Sequence, residues 1–235
     1  MDMKTRIKKT AAIALIFLLF TPFLFSDEVT SMWSRLYGRA RGYEDRIMIM
    51  SGLIEIEDIG MVPFLGEALQ DLNSARANDT STTESMRHNE LTKMIVRRLG
   101  EYRAAEYADL IFDVFKNTPD IYLKGEAILA LGRTVNPDYS DDISIYLRNQ
   151  NLNIGIENED KESEVLALAS VLALERFRQP VGFAPLFFAS IGWYSKTSTV
   201  REQAERVLDS LVDDPTDILT DLIRLEGDFA VKLEV

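Results

Sequence analysis

The side chains in this sequence that could do chemistry are mostly carboxylates. They gather at Asp138, Asp141 and Asp142, at Glu157, Glu159, Asp160, Glu162 and Glu164, and at Asp213, Asp214 and Asp217. Oxygen-rich runs of this kind could ligate calcium, but a calcium loop needs ligands at alternate positions, a central glycine and a closing glutamate. None of the three has that spacing. They read instead as solvated turns and helix N-termini, where a carboxylate meets the positive end of a helix dipole. Their collective use is electrostatic, a preference for a partner with a basic surface. His88 is the single histidine and sits among Arg87, Asn89 and Glu90. One imidazole without a cysteine or a second histidine at metal spacing builds neither a catalytic triad nor a zinc site, so His88 is expected on the surface. Zero cysteines remove disulfides, thiolate metal sites and thiol nucleophiles. Neither G-x-x-x-x-G-K-[ST] nor G-x-G-x-x-G occurs, so no phosphate-cradling loop is present. No catalytic residue, cofactor or metal is assigned.

The most unusual local composition runs from Phe183 to Tyr194. On a helical wheel Phe183, Leu186, Phe187, Ser190, Ile191 and Tyr194 share one face and are expected in a core. Phe188 points well off that face and Trp193 lies at its margin. These two aromatics are the candidate partner-binding residues, since aromatic side chains are strong interface anchors.

The elements that would position such residues follow from composition and periodicity. A chain of 235 residues that is 46% hydrophobic and 27% charged has enough apolar material for one well-cored domain or a short array. Its formal net charge of −12 argues against a phosphate backbone as partner, because that grip needs a concentrated positive face. Nucleic acid is therefore not expected. At the N-terminus Lys4, Arg6, Lys8 and Lys9 precede an unbroken apolar run from Ala11 to Phe20, followed by Thr21, Pro22 and a further apolar stretch to Phe25. A positive segment before a short apolar one is the export pattern. The stretch to Phe25 is 15 residues long and contains Pro22, short of the roughly 20 that a membrane span needs. Residues 1–26 are thus expected to be a signal peptide or, if uncut, an N-terminal anchor, and 27–42 a leading helix carrying Trp33, Leu36 and Tyr37.

After residue 43 a pair of amphipathic helices returns about five times. The expected pairs are Tyr43–Glu57 with Gly60–Leu72, Glu84–Leu99 with Ala104–Lys116, Asp120–Leu131 with Ser140–Leu147, Val165–Phe177 with Phe183–Tyr194, and Thr199–Leu211 with Pro215–Leu225. A polar run between Asn73 and Ser85 reads as a long loop. Gly100 is expected to provide a left-handed helix exit, and Gly132 to close the helix before it. Taking Val62, Tyr107, Ile143, Phe183 and Ile218 as equivalent gives spacings of 45, 36, 40 and 35 residues. That drifting pitch with two helices per unit suits a helical repeat array.

The start Asp58-x-x-x-Val62-Pro63-x-Leu65, and the helix Glu126-Ala127-Ile128-Leu129-Ala130-Leu131-Gly132, resemble HEAT repeats over roughly residues 43–226. The expected fold is therefore all-α, an α-solenoid of about five HEAT-like helix pairs, with residues 43–235 forming the repeat domain. The resemblance implies a non-catalytic scaffold that binds another protein on a concave face lined by the second helices, with the first helices outside. Together with the N-terminal pattern it implies an exported protein of the periplasm or cell envelope. In the alternative, residues 1–26 stay attached as an inner-membrane anchor, which would be the sole membrane contact, and the array serves oligomerisation; a remote alternative is an enzyme on a helical-repeat scaffold.

Overall fold

Regular structure is entirely helical among the residues that the computed structural model describes, namely 30–75, 81–152, 161–192, 194, 198–222 and 224. The expected export segment, the last eleven residues and parts of both polar stretches lie outside them. In chain order the helices are α1 (30–39), α2 (Tyr43–Ile54), α3 (Val62–Ala75), α4 (Thr82–Glu101), α5 (Ala108–Asn117), α6 (Ile121–Thr134), α7 (Ser140–Leu152), α8 (Lys161–Phe177), α9 (Phe183–Ile191), α10 (Thr199–Leu211) and α11 (216–222).

Short polar side chains set several starts. Ser81 accepts a hydrogen bond from the Glu84 amide at 3.1 Å, so α4 begins at Thr82, two residues before the expected Glu84. Asp120 does the same for α6 through the Leu123 amide at 2.8 Å. Helix α8 already runs from Lys161, four residues ahead of the expected Val165. Helix α7 outruns its expected end at Leu147 for a different reason. Asn151 is buried, donates to the Pro185 carbonyl at 2.9 Å and accepts from the Tyr194 hydroxyl at 3.0 Å, so the polar tail of α7 is part of the core.

The same connector recurs four times. Glu57, Arg103, Val135 and Arg178 all take left-handed backbone conformations, with φ between 51° and 58°. Two residues after each begins a 3-10 turn, at Ile59, Ala105, Pro137 and Pro180, and then a helix at Val62, Ala108, Ser140 and Phe183. Left-handed geometry costs a non-glycine residue roughly 1–2 kcal/mol, more for β-branched Val135. It is held by helix-end hydrogen bonds: Arg103 N–H donates to the Gly100 carbonyl at 2.9 Å and Ala104 N–H to Leu99 at 3.0 Å. Counting from the left-handed residue puts Val62, Ala108, Ser140 and Phe183 in register, so Tyr107 and Ile143 are not the counterparts of Val62. Leu53, Leu99, Leu131 and Leu174 fall four residues before the left-handed position and Leu65, Ile111, Ile143 and Leu186 eight after it, and all eight are buried to 1% exposure or less.

The first helices α2, α4, α6, α8 and α10 stack in sequence, each on the next. The second helices cover them, but each packs most closely on the helix that follows it: α3 on α4, α5 on α6, α7 on α8 and α9 on α10. Within the second layer α3 meets α5 and α7 meets α9, whereas the backbones of α5 and α7 stay farther apart and are bridged by side chains, Phe115 edge-on to Tyr146 at 5.1 Å and Lys116 paired with Asp142 at 3.6 Å. At the near end, α1 lays the Trp33 ring over Gly52 and buries Tyr37 edge-on against Phe64, 5.3 Å between ring centres.

Two glycines set the spacing of the first layer, and neither is a helix exit. A Cβ on Gly100 would lie 2.8 Å from the Cα of Ala130, and one on Gly132 would lie 2.6 Å from the Cα of Ala173. Both sit inside their helices, at the points where α4 crosses α6 and α6 crosses α8.

Gly132→Ala is expected to lower stability by about 1–3 kcal/mol by forcing backbone apart, even though alanine is the better helix former. Gly125→Ala, whose new Cβ would meet nothing nearer than 3.6 Å, is expected to raise stability by up to about 1 kcal/mol. Urea midpoints of the two variants check the opposite signs. Burial, and for Tyr139 the Asp109 carboxylate 2.7 Å from its hydroxyl, push the phenols of Tyr139 and Tyr194 well above their ordinary range. The folded chain keeps them neutral while the unfolded chain ionises them near a pH of about 10. The stability they carry is therefore present below that pH and lost as pH rises above it. A double Tyr139→Phe, Tyr194→Phe variant is expected to show a shallower fall in urea midpoint between pH 9 and about 11.

Candidate functional site

The outward stripe of the first layer changes character along the stack. Thirteen, ten, nine and six residues before the left-handed position, α2 carries Glu44, Ile47, Met48 and Ser51, and α4 carries Glu90, Lys93, Met94 and Arg97. At the same places α6 has Tyr122, Gly125, Glu126 and Leu129, and α8 has Val165, Leu168, Ala169 and Leu172. Between α4, α6 and α8 these residues line a groove with a cavity of about 280 Å³. Its bed exists because Gly125 and Ala169 have almost no side chain where the helices approach. Tyr122, at 61% exposure, and Val165, at 38%, stand along its open end. Lys93 and Arg97 form the edge on the α4 side.

One carboxylate organises that edge. Glu126 is buried, and its two oxygens accept from Arg97 at 2.8 Å and from Arg133 at 3.1 Å. The hydrogen bond from Arg97 to Glu126 raises that guanidinium above its ordinary value. Arg97 is about half exposed and also borders a second depression of about 430 Å³, between α2 and α4, with Ile54, Glu55, Glu57, Met94, Arg98 and Glu101. Its neighbour Arg98 is structural: it donates to the Ile54 carbonyl, pairs with Glu101 at 2.8 Å and lies over the Tyr102 ring at 5.0 Å.

The aromatic segment is split by its placement. Phe183, Leu186, Ser190 and Tyr194 are buried as expected, and Phe187 is half-buried. Ile191, expected in the core, is 55% exposed, because α9 ends there and Tyr194, beyond the helix, takes the inner position. Phe188 is half-buried on α9 in the second layer, its ring edge-on to Phe187 at 5.7 Å. Trp193 lies outside the described residues.

His88 is a correction. It is buried, with Nε2 donating to the Leu72 carbonyl at 3.0 Å and its ring edge-on to Tyr43 at 5.5 Å. The polar neighbours in sequence point elsewhere on the helix, and the imidazole ties α4 to the end of α3. The carboxylate clusters serve locally where they are described. Asp142 pairs with Lys116 at 3.6 Å, and Asp214 accepts from the Thr216 hydroxyl and amide, which hold its carboxyl below the ordinary range. Among the described residues no three histidine or acidic side chains converge as they would around a metal ion.

Sequence reasoning missed the groove. The available signal was that α6 is apolar on more than one side, with Leu123 and Ile128 inward while Tyr122 and Leu129 face the groove, a pattern that calls for burial on two faces. Comparisons of the chain with protein-family models, with curated proteins and with solved structures return no match.

Removing the shared carboxylate is expected to cost more than removing one of its partners. Glu126→Ala strands two guanidinium groups and is expected to lose about 1–3 kcal/mol. Arg97→Ala, at a half-exposed pair, is expected to lose less than about 1 kcal/mol. Chemical denaturation of both variants tests the order, and equal losses would contradict it.

Proposed function

We propose that this chain is an exported, HEAT-like α-solenoid that acts as a non-catalytic scaffold of the cell envelope and binds another protein along its first-helix face. What supports a solenoid is the recurring connector together with the stacking of each first helix on the next, since a lone helix pair cannot bury its apolar side. The face is chosen by the relative spacing of the two layers. First helices touch backbone to backbone at Gly100 with Ala130 and at Gly132 with Ala173, while α5 and α7 meet only through long side chains such as Phe115 with Tyr146 and Lys116 with Asp142. An array bends towards its more closely spaced layer, so the first helices line the concave side and the second helices the convex one, the reverse of what the resemblance implied. The observation that carries the reading is the partly exposed apolar groove on that concave side, the kind of surface that marks an interaction site. Export rests on the basic and apolar pattern of residues 1–26.

The test is a cross-linked pull-down from envelope extract with the tagged chain, comparing the unaltered protein with Tyr122→Asp and Phe188→Ala. One or two stoichiometric proteins, reduced at least tenfold by Tyr122→Asp and retained by Phe188→Ala, are expected. The opposite pattern would move the contact to the second-helix side. Recovery of the chain alone would replace the scaffold with a self-assembling element.

A further inference from the structure

Resting on that reading, we infer that the groove between α4, α6 and α8 takes a helical segment of a partner protein that is apolar on one side and acidic beside it. The volume and lining set the first half of this chemistry. A cavity of about 280 Å³ with Tyr122, Leu129, Val165, Leu168 and Leu172 around it accommodates one or two large apolar side chains. Gly125 and Ala169, buried against each other between α6 and α8, form its bed and leave that volume without a large side chain of their own.

Charge sets the second half, and it runs against the protein as a whole. The chain carries a formal charge of −12, which by itself favours a basic partner. Contact is decided more locally than that, because at physiological salt charges beyond about 8 Å are largely screened. The charged residues that line the groove are Lys93, Arg97 and Glu126. Glu126 already accepts from both Arg97 and Arg133, so the cavity lining itself presents Lys93 and Arg97, whereas Glu101, the other carboxylate acting on Arg97, borders the second depression. Arg97 is half exposed and has N–H groups beyond the single one it spends on Glu126, so it can donate to an incoming carboxylate in the forked geometry that arginine favours. A basic partner would set its charge against Lys93 and Arg97 and leave the apolar wall unfilled. Remote acidity then acts as discrimination, repelling acidic segments that lack the apolar residues to fill the cavity.

A phage-displayed library of helical peptides with randomised surface positions, panned on the full chain, tests the inference. Enriched peptides are expected to carry a large apolar side chain next to aspartate or glutamate. Their binding is expected to weaken at least tenfold with Lys93→Ala plus Arg97→Ala, and with Tyr122→Asp, in variants whose circular dichroism is unchanged. It is also expected to weaken as salt is raised on the unaltered chain, a readout that needs no variant. Enrichment of basic peptides would overturn the inference. Peptides indifferent to the groove variants but lost with Phe188→Ala would overturn it while leaving the protein-binding function standing on the other face. No enrichment at all would overturn both.

Discussion

The close approach of the first helices is the constraint from which the rest of this structure follows. Where α4 crosses α6 and α6 crosses α8, a glycine on one helix faces an alanine backbone on the next, with no room for a Cβ at either glycine. Side chains of ordinary size would hold such helices 8–10 Å apart, as they do in most helix pairs. In the second layer the glycine on α3, Gly66, is met by the Tyr107 ring and not by a neighbouring backbone, which makes the two layers unequal. The second helices, built with larger residues such as Phe64, Phe112, Phe115 and Phe183, cannot follow as closely. A groove lies on the crowded side, its bed made of two further small residues, Gly125 and Ala169.

The connectors show how tertiary packing overrides local preference. Four ordinary residues, one of them valine, adopt the left-handed conformation that glycine would take at less cost. Each is flanked by a leucine four residues earlier and an aliphatic residue eight residues later, both fully buried. Burying a side chain of that size contributes about 1.5–3 kcal/mol, and two of them outweigh the strain at each connector. The turn is therefore determined by what its neighbours must bury, and its own residue type is free to vary among glutamate, arginine and valine.

Electrostatics is divided in the same way between the local and the global. Most carboxylates end helices, cap turns or face solvent, and together they give the chain its acidity without building a site. Glu126 differs because it is buried, and a buried carboxylate has to be paired. Its two arginines come from different helices, so the same interaction that satisfies it also ties α4 to α6 and stations a guanidinium at the groove's edge. Structural need and surface chemistry are coupled there, and a partner that reads this edge reads a feature the fold already requires.

Much of the secondary structure was legible in the sequence, because helical periodicity is a property of neighbours along the chain. The starts of α2, α7, α9 and α10 and most inward-facing positions follow from apolar residues at intervals of three and four. Where the reading failed, a distant partner was responsible. Asn151 extends α7 because Pro185 and Tyr194 supply its hydrogen bonds; His88 is buried because Leu72 supplies a carbonyl; Gly100 and Gly132 stay inside helices because Ala130 and Ala173 sit against them. By itself, then, the sequence determined an all-helical chain with most of its apolar stripes in place. Which helices lie closer, which face turns inward, and that Tyr122, Leu129, Val165 and Leu172 share a groove with Arg97 were decided only in the tertiary structure. The physical reason is that a helix crossing is set by the two side chains that meet at it, and those lie some thirty to forty residues apart, beyond the reach of any local period.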